Sequence, residues 1–105
     1  MIRPLFLLAA CLLLSPAHAK GNAEAGKAKS AACAACHGPV GVSEVPSFPT
    51  LAGQHRDYLY HALRDYKSGK RKNPIMAGQV ASLSDADMAD LARYYSQQPG
   101  LTLKY

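Results

Sequence analysis

Tryptophan is absent from this sequence, and large apolar residues are scarce after residue 19. Only 15 of residues 20–105 are Leu, Ile, Val, Met or Phe, whereas 14 are alanine. A chain of this size buries only roughly 60–65% of the surface of its unfolded form. The length of 105 residues and the three cysteines exclude a multidomain enzyme and a disulfide-dense scaffold, and the composition excludes collagen and a coiled coil. This scarcity predicts that something other than protein fills part of the core.

The longest apolar run lies at the N-terminus, and residues 1–19 are typical of a secretory signal peptide. Arg3 supplies a positive charge, residues 5–14 are continuously apolar, and residues 17–19, Ala-His-Ala, form a cleavage site. The apolar run is too short for a bilayer span, which needs about 20 residues. We therefore expect cleavage after residue 19, a mature domain of residues 20–105 and a periplasmic location. An uncleaved anchor and lipoprotein processing at Cys11 are the alternatives.

Cleavage would leave Cys33 and Cys36, and His37 follows them directly. Cys-x-x-Cys-His is the attachment sequence of c-type haem. Two thiols at this spacing in a helical turn can form thioethers with the two vinyl groups, and the adjacent imidazole can bind the iron. Three other interpretations of the two cysteines fit less well. They are a thioredoxin-like pair, which needs strands, a zinc site, which needs two more ligands, and a simple disulfide.

A haem iron bound by His37 needs a second axial ligand or keeps an open position. His55 and His61 are candidates, but they fall at the start and on the polar side of a predicted helix, so we expect them at the surface. Met88 falls on the apolar face of another predicted helix, so we expect it in the core. These three residues are therefore weaker candidates than the remaining methionine.

That remaining candidate is Met76, which lies in a predicted loop, residues 73–78, without regular periodicity. Pro74 stiffens the approach of the chain, and Gly78 would let the backbone pass close to the ring. We therefore predict that Met76 is the sixth ligand.

Three helices are predicted from capping residues and apolar periodicity. They cover residues 23–32, 54–67 and 85–97. Asn22 and Ser84 are the predicted N-caps, and Gly69 is placed to end the second helix. The connections, residues 38–53 and 70–83, are long and irregular, which is uncommon in a packed domain but expected where they wrap around a flat cofactor.

The order of these features resembles a class I cytochrome c over residues 21–98. Three segments, together with Met76, are similar to one haem domain of cytochrome c4 and its single-haem relatives. They are residues 48–54, Phe-Pro-Thr-Leu-Ala-Gly-Gln, residues 58–59, Tyr-Leu, and residues 84–87, Ser-Asp-Ala-Asp. Cytochrome c4 has two such domains, whereas this chain has one Cys-x-x-Cys-His, so electron transfer between two fused haems does not carry over.

The resemblance implies an all-α cytochrome c fold with about three main helices and long loops around one covalent haem c. The implied haem-binding residues are Cys33, Cys36, His37, Met76, Pro49 and Leu51, with His37 and Met76 as iron ligands. The Pro49 carbonyl would accept a hydrogen bond from Nδ1 of His37 and so fix the ring. The resemblance also implies that Gly26 packs against Leu91 and Tyr94 where the terminal helices cross.

We expect a soluble periplasmic one-electron carrier and not an enzyme, because no acid–base pair or nucleophile cluster stands out. Two axial ligands leave no open iron position, and thioether sulfur favours the ferrous state.

The partners would be redox proteins that bind transiently, and neither nucleic acid nor a membrane. A basic cluster could steer an acidic partner, and it consists of Lys67, Lys70, Arg71 and Lys72. The alternatives are a haem subunit of a larger respiratory oxidoreductase and a ligand-binding haem sensor.

Overall fold

The computed structural model describes Pro4 and residues 20–102. The predicted signal features, which are Arg3, residues 5–14 and residues 17–19, lie outside the described residues, and so does Cys11. Within the described part, the chain forms α-helices and no strands. They are α1 (Ala23–Lys29), α2 (Ala31–His37), α3 (Arg56–Ser68), α4 (Pro74–Val80) and α5 (Asp85–Ser96). No helix in this part of the chain is long and apolar enough to cross a membrane.

The first predicted helix is divided in two at Ser30. Asn22 caps α1 as predicted, since its Oδ1 accepts a hydrogen bond from the backbone N–H of Ala25 at 2.9 Å. At the other end, the Ser30 hydroxyl donates to the carbonyl of Lys27 at 2.7 Å, and the Ser30 backbone N–H donates to the same oxygen at 3.2 Å. Serine competes in this way with the helical pattern. The short helix α2 that follows carries the Cys-x-x-Cys-His motif.

The second and third predicted helices are confirmed within two residues as α3 and α5. Gly69 ends α3 in the left-handed conformation, with φ of 82°. Ser84 and Asp87 form a capping box at the start of α5. The Ser84 hydroxyl accepts from the Asp87 N–H at 3.0 Å, and the Asp87 carboxylate accepts from the Ser84 N–H at 2.9 Å.

The segment around Met76 is a helix and not the predicted loop. Asn73 starts α4, because its Oδ1 accepts hydrogen bonds from the N–H groups of Ile75 and Met76 at 3.0 and 3.1 Å. Pro74 stands in the first turn, where its missing N–H costs nothing. Only Val80 is buried in α4, so this helix has no apolar stripe for a periodicity argument to detect. Its capping residue and proline were the available signal.

Helices α1 and α5 cross at a close contact centred on Gly26. A Cβ atom built on Gly26 would lie 2.1 Å from the Asp90 carbonyl oxygen and 2.7 Å from Cβ of Tyr94. The implied contact with Tyr94 is therefore present, but the backbone of Asp90, and not Leu91, comes nearest. Leu91 lies instead in the main core cluster, which it forms with Leu59, Ala92, Tyr94 and Tyr95.

Charged groups join the same two helices at the surface. The ammonium of Lys29 contacts the carboxylates of Asp87 at 2.7 Å and Asp90 at 2.6 Å. Asp90 also accepts a hydrogen bond from the backbone N–H of Asn22 at 2.8 Å. Burial raises the pKa of Asp90, but the hydrogen bonds from Lys29 and Asn22 outweigh it, so the pKa lies below its usual value. This buried carboxylate is therefore fully partnered.

The connection between α2 and α3 is irregular, as predicted, and backbone hydrogen bonds hold it in place. The carbonyl of Gly41 accepts from the N–H groups of Leu51 and Ala52 at 2.7 and 3.0 Å. The carbonyl of Tyr95 accepts from the N–H of Gly53 at 3.0 Å. These bonds close the loop against α5 and fix the position of residues 48–51 beside the core.

Candidate functional site

A cavity of about 320 Å³ lies among the helices and the loop before α3. This volume is within the range of sites for small organic ligands, about 300–1,000 Å³. Its lining is mainly apolar and aromatic. The larger apolar and aromatic side chains in it include Phe48, Leu51, Tyr58, Leu59, Leu63, Tyr66, Ile75, Met76, Leu91 and Tyr95. The shortage of large side chains in the sequence therefore corresponds to a space that the protein does not fill.

Most of the residues predicted to bind haem border this cavity. They are Cys33, His37, Pro49, Leu51 and Met76. Cys36 lies one turn beyond Cys33 on α2, half-buried and outside the cavity lining. The structure thus brings a thiol and an imidazole from α2 to the same space as a thioether from α4, 39 residues after His37.

The three rival ligands lie elsewhere. His55 and His61 are exposed, and the ring of His61 packs against Tyr60 with 5.6 Å between centroids. Met88 is only 4% exposed and belongs to the core, as predicted. None of these three side chains borders the cavity. Among the candidate sixth ligands, only Met76 shares the cavity with His37.

The imidazole of His37 is buried and oriented by a backbone carbonyl. Its Nδ1 lies 2.7 Å from the carbonyl oxygen of Pro49, so the hydrogen bond that the resemblance implies is present. A carbonyl only accepts, so Nδ1 is the donor in this contact, and Nε2 is the ring nitrogen that remains for a metal. Phe48 contacts the same ring edge-on, with 6.5 Å between centroids. Together, these contacts prepare Nε2 as a metal ligand.

The two cysteines are free thiols and form no disulfide with each other. Burial raises the pKa of the Cys33 thiol, and the nearby Tyr95 hydroxyl opposes this effect. In the described part of the chain, no three His, Cys, Asp or Glu side chains are grouped to hold a metal ion, and no strand accompanies the motif. These observations favour haem attachment over the disulfide, zinc and thioredoxin-like interpretations.

The basic cluster is divided between the cavity and the surface. Arg71 borders the cavity, where its guanidinium lies 4.8 Å from the centre of the Tyr66 ring and donates to the Tyr58 hydroxyl at 3.4 Å. Lys67 instead donates to the carbonyl of Leu83. The sequence interpretation grouped these basic residues and missed the pairing of Arg71 with two tyrosines. The spacing of Tyr58 and Tyr66, two helical turns apart, was the available signal.

The donor set and the lining fit a c-type haem. A half-buried thiol, an imidazole with a free Nε2 and a thioether meet in an apolar space, and these groups attach and ligate haem in this class of protein. Arg71 also borders the cavity and would supply a cation for a carboxylate of the bound group.

Comparisons with known proteins agree with this fit. The cytochrome c family model matches residues 23–98. Cytochrome c4 of Pseudomonas aeruginosa is 51% identical over 82 residues, which cover 78% of this chain and 41% of that protein. Cytochrome c-554(548) of Halomonas halodenitrificans is 42% identical over 81 residues, which cover 74% of this chain and 98% of that protein.

Solved structures show the same likeness. Reduced recombinant cytochrome c4 from Pseudomonas stutzeri superposes with a TM-score of 0.74 at 46% identity, covering 77% of this chain and 47% of that one. This chain thus spans less than half the length of its cytochrome c4 relatives. Cytochromes of this family carry covalently bound haem c, and the all-helical fold and the two cysteines of this chain agree with that cofactor. The chain belongs to the cytochrome c family.

Proposed function

We propose that this chain is a one-electron carrier that holds one haem c through Cys33 and Cys36, with His37 and Met76 as axial ligands. The observation that supports it most is that the Cys-x-x-Cys-His helix and Met76 border one apolar cavity. When bound, haem c supplies an iron that alternates between the ferrous and ferric states. With both axial positions taken, the chain acts as a carrier and not as an enzyme.

The protein contributes ligand orientation and a dry environment. Nδ1 of His37 donates a hydrogen bond to the Pro49 carbonyl, which fixes the orientation of the ring and leaves Nε2 available for the iron. Met76 offers a soft thioether, which favours ferrous iron and raises the reduction potential relative to two histidines. The apolar lining, with Leu51 and Leu59 among its members, excludes water from the iron.

The proposed partners are redox proteins that dock briefly. Small residues within and just after the attachment motif, Ala34, Ala35 and Gly38, would let a partner approach closely. Electron-transfer complexes of this kind have small interfaces. The exposed lysines of the basic cluster would steer an acidic partner, and association would slow as salt concentration rises.

We also propose export to the periplasm with cleavage after residue 19, which leaves a domain of residues 20–105 with a formal charge of +4. The mass of the exported protein tests this, because the mature chain should begin at Lys20 and carry one haem. A retained N-terminus, or a lipid on Cys11, would contradict it.

Axial ligation is tested by two methionine variants of the holoprotein, Met76→Ala and Met88→Leu. Wild type and Met88→Leu should show the weak ferric absorption band of a methionine–iron bond and should not bind carbon monoxide promptly when reduced. Met76→Ala should lose the band and bind carbon monoxide. A band that survives Met76→Ala would contradict the assignment, and prompt binding by the wild type would favour a ligand-binding sensor.

A further inference from the structure

The hydroxyl of Tyr95 is a buried polar atom with no hydrogen-bond partner in the described structure. Buried polar groups in folded proteins are nearly always paired, so this exception calls for a physical reason. Contacts from two segments hold the ring in place. A Cβ atom on Gly41 would lie 2.6 Å from Cδ1 of Tyr95, and the ring of Tyr94 packs with 5.0 Å between centroids. The position of the hydroxyl oxygen is therefore fixed.

Polar side chains near this hydroxyl include Cys33 and Ser30. Cys33 packs against the core cluster that contains Tyr95, and both residues border the cavity. The buried Ser30 hydroxyl already gives its proton to the carbonyl of Lys27. Burial, and then the nearby Cys33 thiol, raise the pKa of Tyr95, so the phenol keeps its proton and remains a donor. In the described structure this donor makes no hydrogen bond.

We propose that Tyr95 is a positioning residue for the attached haem, and that its hydroxyl donates a hydrogen bond to the sulfur of Cys33 once that sulfur is a thioether. This inference rests on the proposed attachment at Cys33. In that attachment the S–H bond breaks, an S–C bond to a vinyl carbon forms, and the hydrogen goes to the other vinyl carbon, so no outside oxidant or reductant is consumed. A thiol is both a weak donor and a weak acceptor, whereas a thioether only accepts. Attachment thus removes the competing S–H donor and leaves a sulfur that can only accept from Tyr95.

The hydrogen bond has a consequence for the haem. The positive end of the O–H dipole points to a sulfur bonded to the macrocycle, and this stabilises the reduced state, which carries one more electron. Hydrogen bonds around a redox centre tune its potential in this way. Tyr95 should therefore raise the midpoint potential of the holoprotein.

The test compares Tyr95→Phe with Tyr94→Phe in the holoprotein. Each variant removes one hydroxyl from a buried ring on α5, but Tyr94 does not border the cavity. Covalent haem is measured by mass, the midpoint potential by optical titration, and stability by thermal unfolding. We expect one covalent haem in both variants, a lower potential for Tyr95→Phe alone, and a wild-type potential for Tyr94→Phe.

A wild-type potential in Tyr95→Phe, together with a higher unfolding midpoint, would overturn the inference, because the hydroxyl would then be an unpaired atom with a packing role only. A wild-type protein without covalent haem would instead overturn the proposed function and this inference with it. Proton NMR of the reduced wild type provides a test that needs no variant. A slowly exchanging Tyr95 hydroxyl proton close to the β-protons of Cys33 supports the inference, and a hydroxyl bonded to Ser30 or to water overturns it.

Discussion

Gly26 lies where α1 crosses α5, and the packing leaves no space for a side chain there. The Asp90 carbonyl would be 2.1 Å from an added Cβ atom, which is far inside contact distance. Gly26→Ala should therefore push the two helices apart and lower the free energy of unfolding by about 1–3 kcal/mol, as overpacked sites do. Denaturant unfolding of the holoprotein measures this.

Lys27→Ala is the matched control, because Lys27 is an exposed neighbour on the same helix. Its stability should stay within about 0.5 kcal/mol of the wild type. Equal stability of the two alanine variants would show that the crossing can open without cost, against the geometry described.

The ion cluster of Lys29, Asp87 and Asp90 predicts an acid-sensitive contact between the same helices. The hydrogen bond from Lys29, followed by those from Ser84, lowers the pKa of Asp87 from 3.8 to about 2. A carboxylate whose pKa is lower in the folded protein than in the unfolded chain stabilises the fold at any pH above the unfolded-state pKa. That contribution is lost as the pH falls toward the folded-state pKa. Stability should therefore decrease between about pH 4 and pH 2.

Lys29→Met should flatten this pH dependence, because it removes the largest cause of the lowered pKa of Asp87. Lys27→Met is the control, since it removes an equal charge outside the cluster. Thermal unfolding of the holoprotein across this pH range measures both, and identical acid slopes in the two variants would count against the cluster.

Helix α4 carries Met76, and the side chain of Asn73 caps the N-terminus of this helix. Asn73→Ala removes the hydrogen bonds to Ile75 and Met76 and should cost about 1 kcal/mol. Because the cap acts on the turn that carries the proposed ligand, the methionine–iron absorption band should vanish on heating well below global unfolding.

Asn22→Ala provides the comparison, because it removes the equivalent cap from α1, away from Met76. In that variant the band should persist until the whole molecule unfolds. If band loss and unfolding coincide in both variants, α4 is not the element that controls ligation.

The sequence predicted elements where one local signal dominated. Ser84 with Asp87, and Gly69, determined the ends of α5 and α3, because capping depends on neighbouring residues alone. The division at Ser30 was missed because residues 23–32 are alanine-rich and favour helix throughout. Helix α4 was missed because its exposed sides carry no apolar pattern. In both cases a side-chain hydrogen bond, and not hydrophobic periodicity, decides where the helix begins or ends.

In the molecule as a whole, the cavity lies where larger apolar side chains would otherwise complete the core. The sequence could predict that space, because only 15 large apolar residues follow residue 19. It could also predict that His37 and Met76 would both border it. It could not predict that Tyr95 borders the same cavity, because this contact depends on how α5 packs against the other segments. Packing of distant segments carries no local signal.

Because haem would fill the part of the core that side chains leave empty, we predict that the protein without haem is poorly folded. The double variant Cys33→Ala/Cys36→Ala, which cannot attach haem, should lose most helical circular dichroism and show no cooperative thermal transition. Cys11→Ala is the matched control, because cleavage after residue 19 would remove that position from the mature protein. A double variant that unfolds cooperatively like the holoprotein would show that the cavity does not need its ligand.

We propose that this chain carries one electron on a haem held by His37 and Met76. An optical redox titration of the wild-type holoprotein, produced with haem-attachment machinery, measures both the electron count and the ligation. We expect one reversible one-electron transition, with the methionine–iron band present in the ferric form and lost on reduction. A ferric spectrum without that band, together with prompt carbon monoxide binding by the reduced protein, would contradict it.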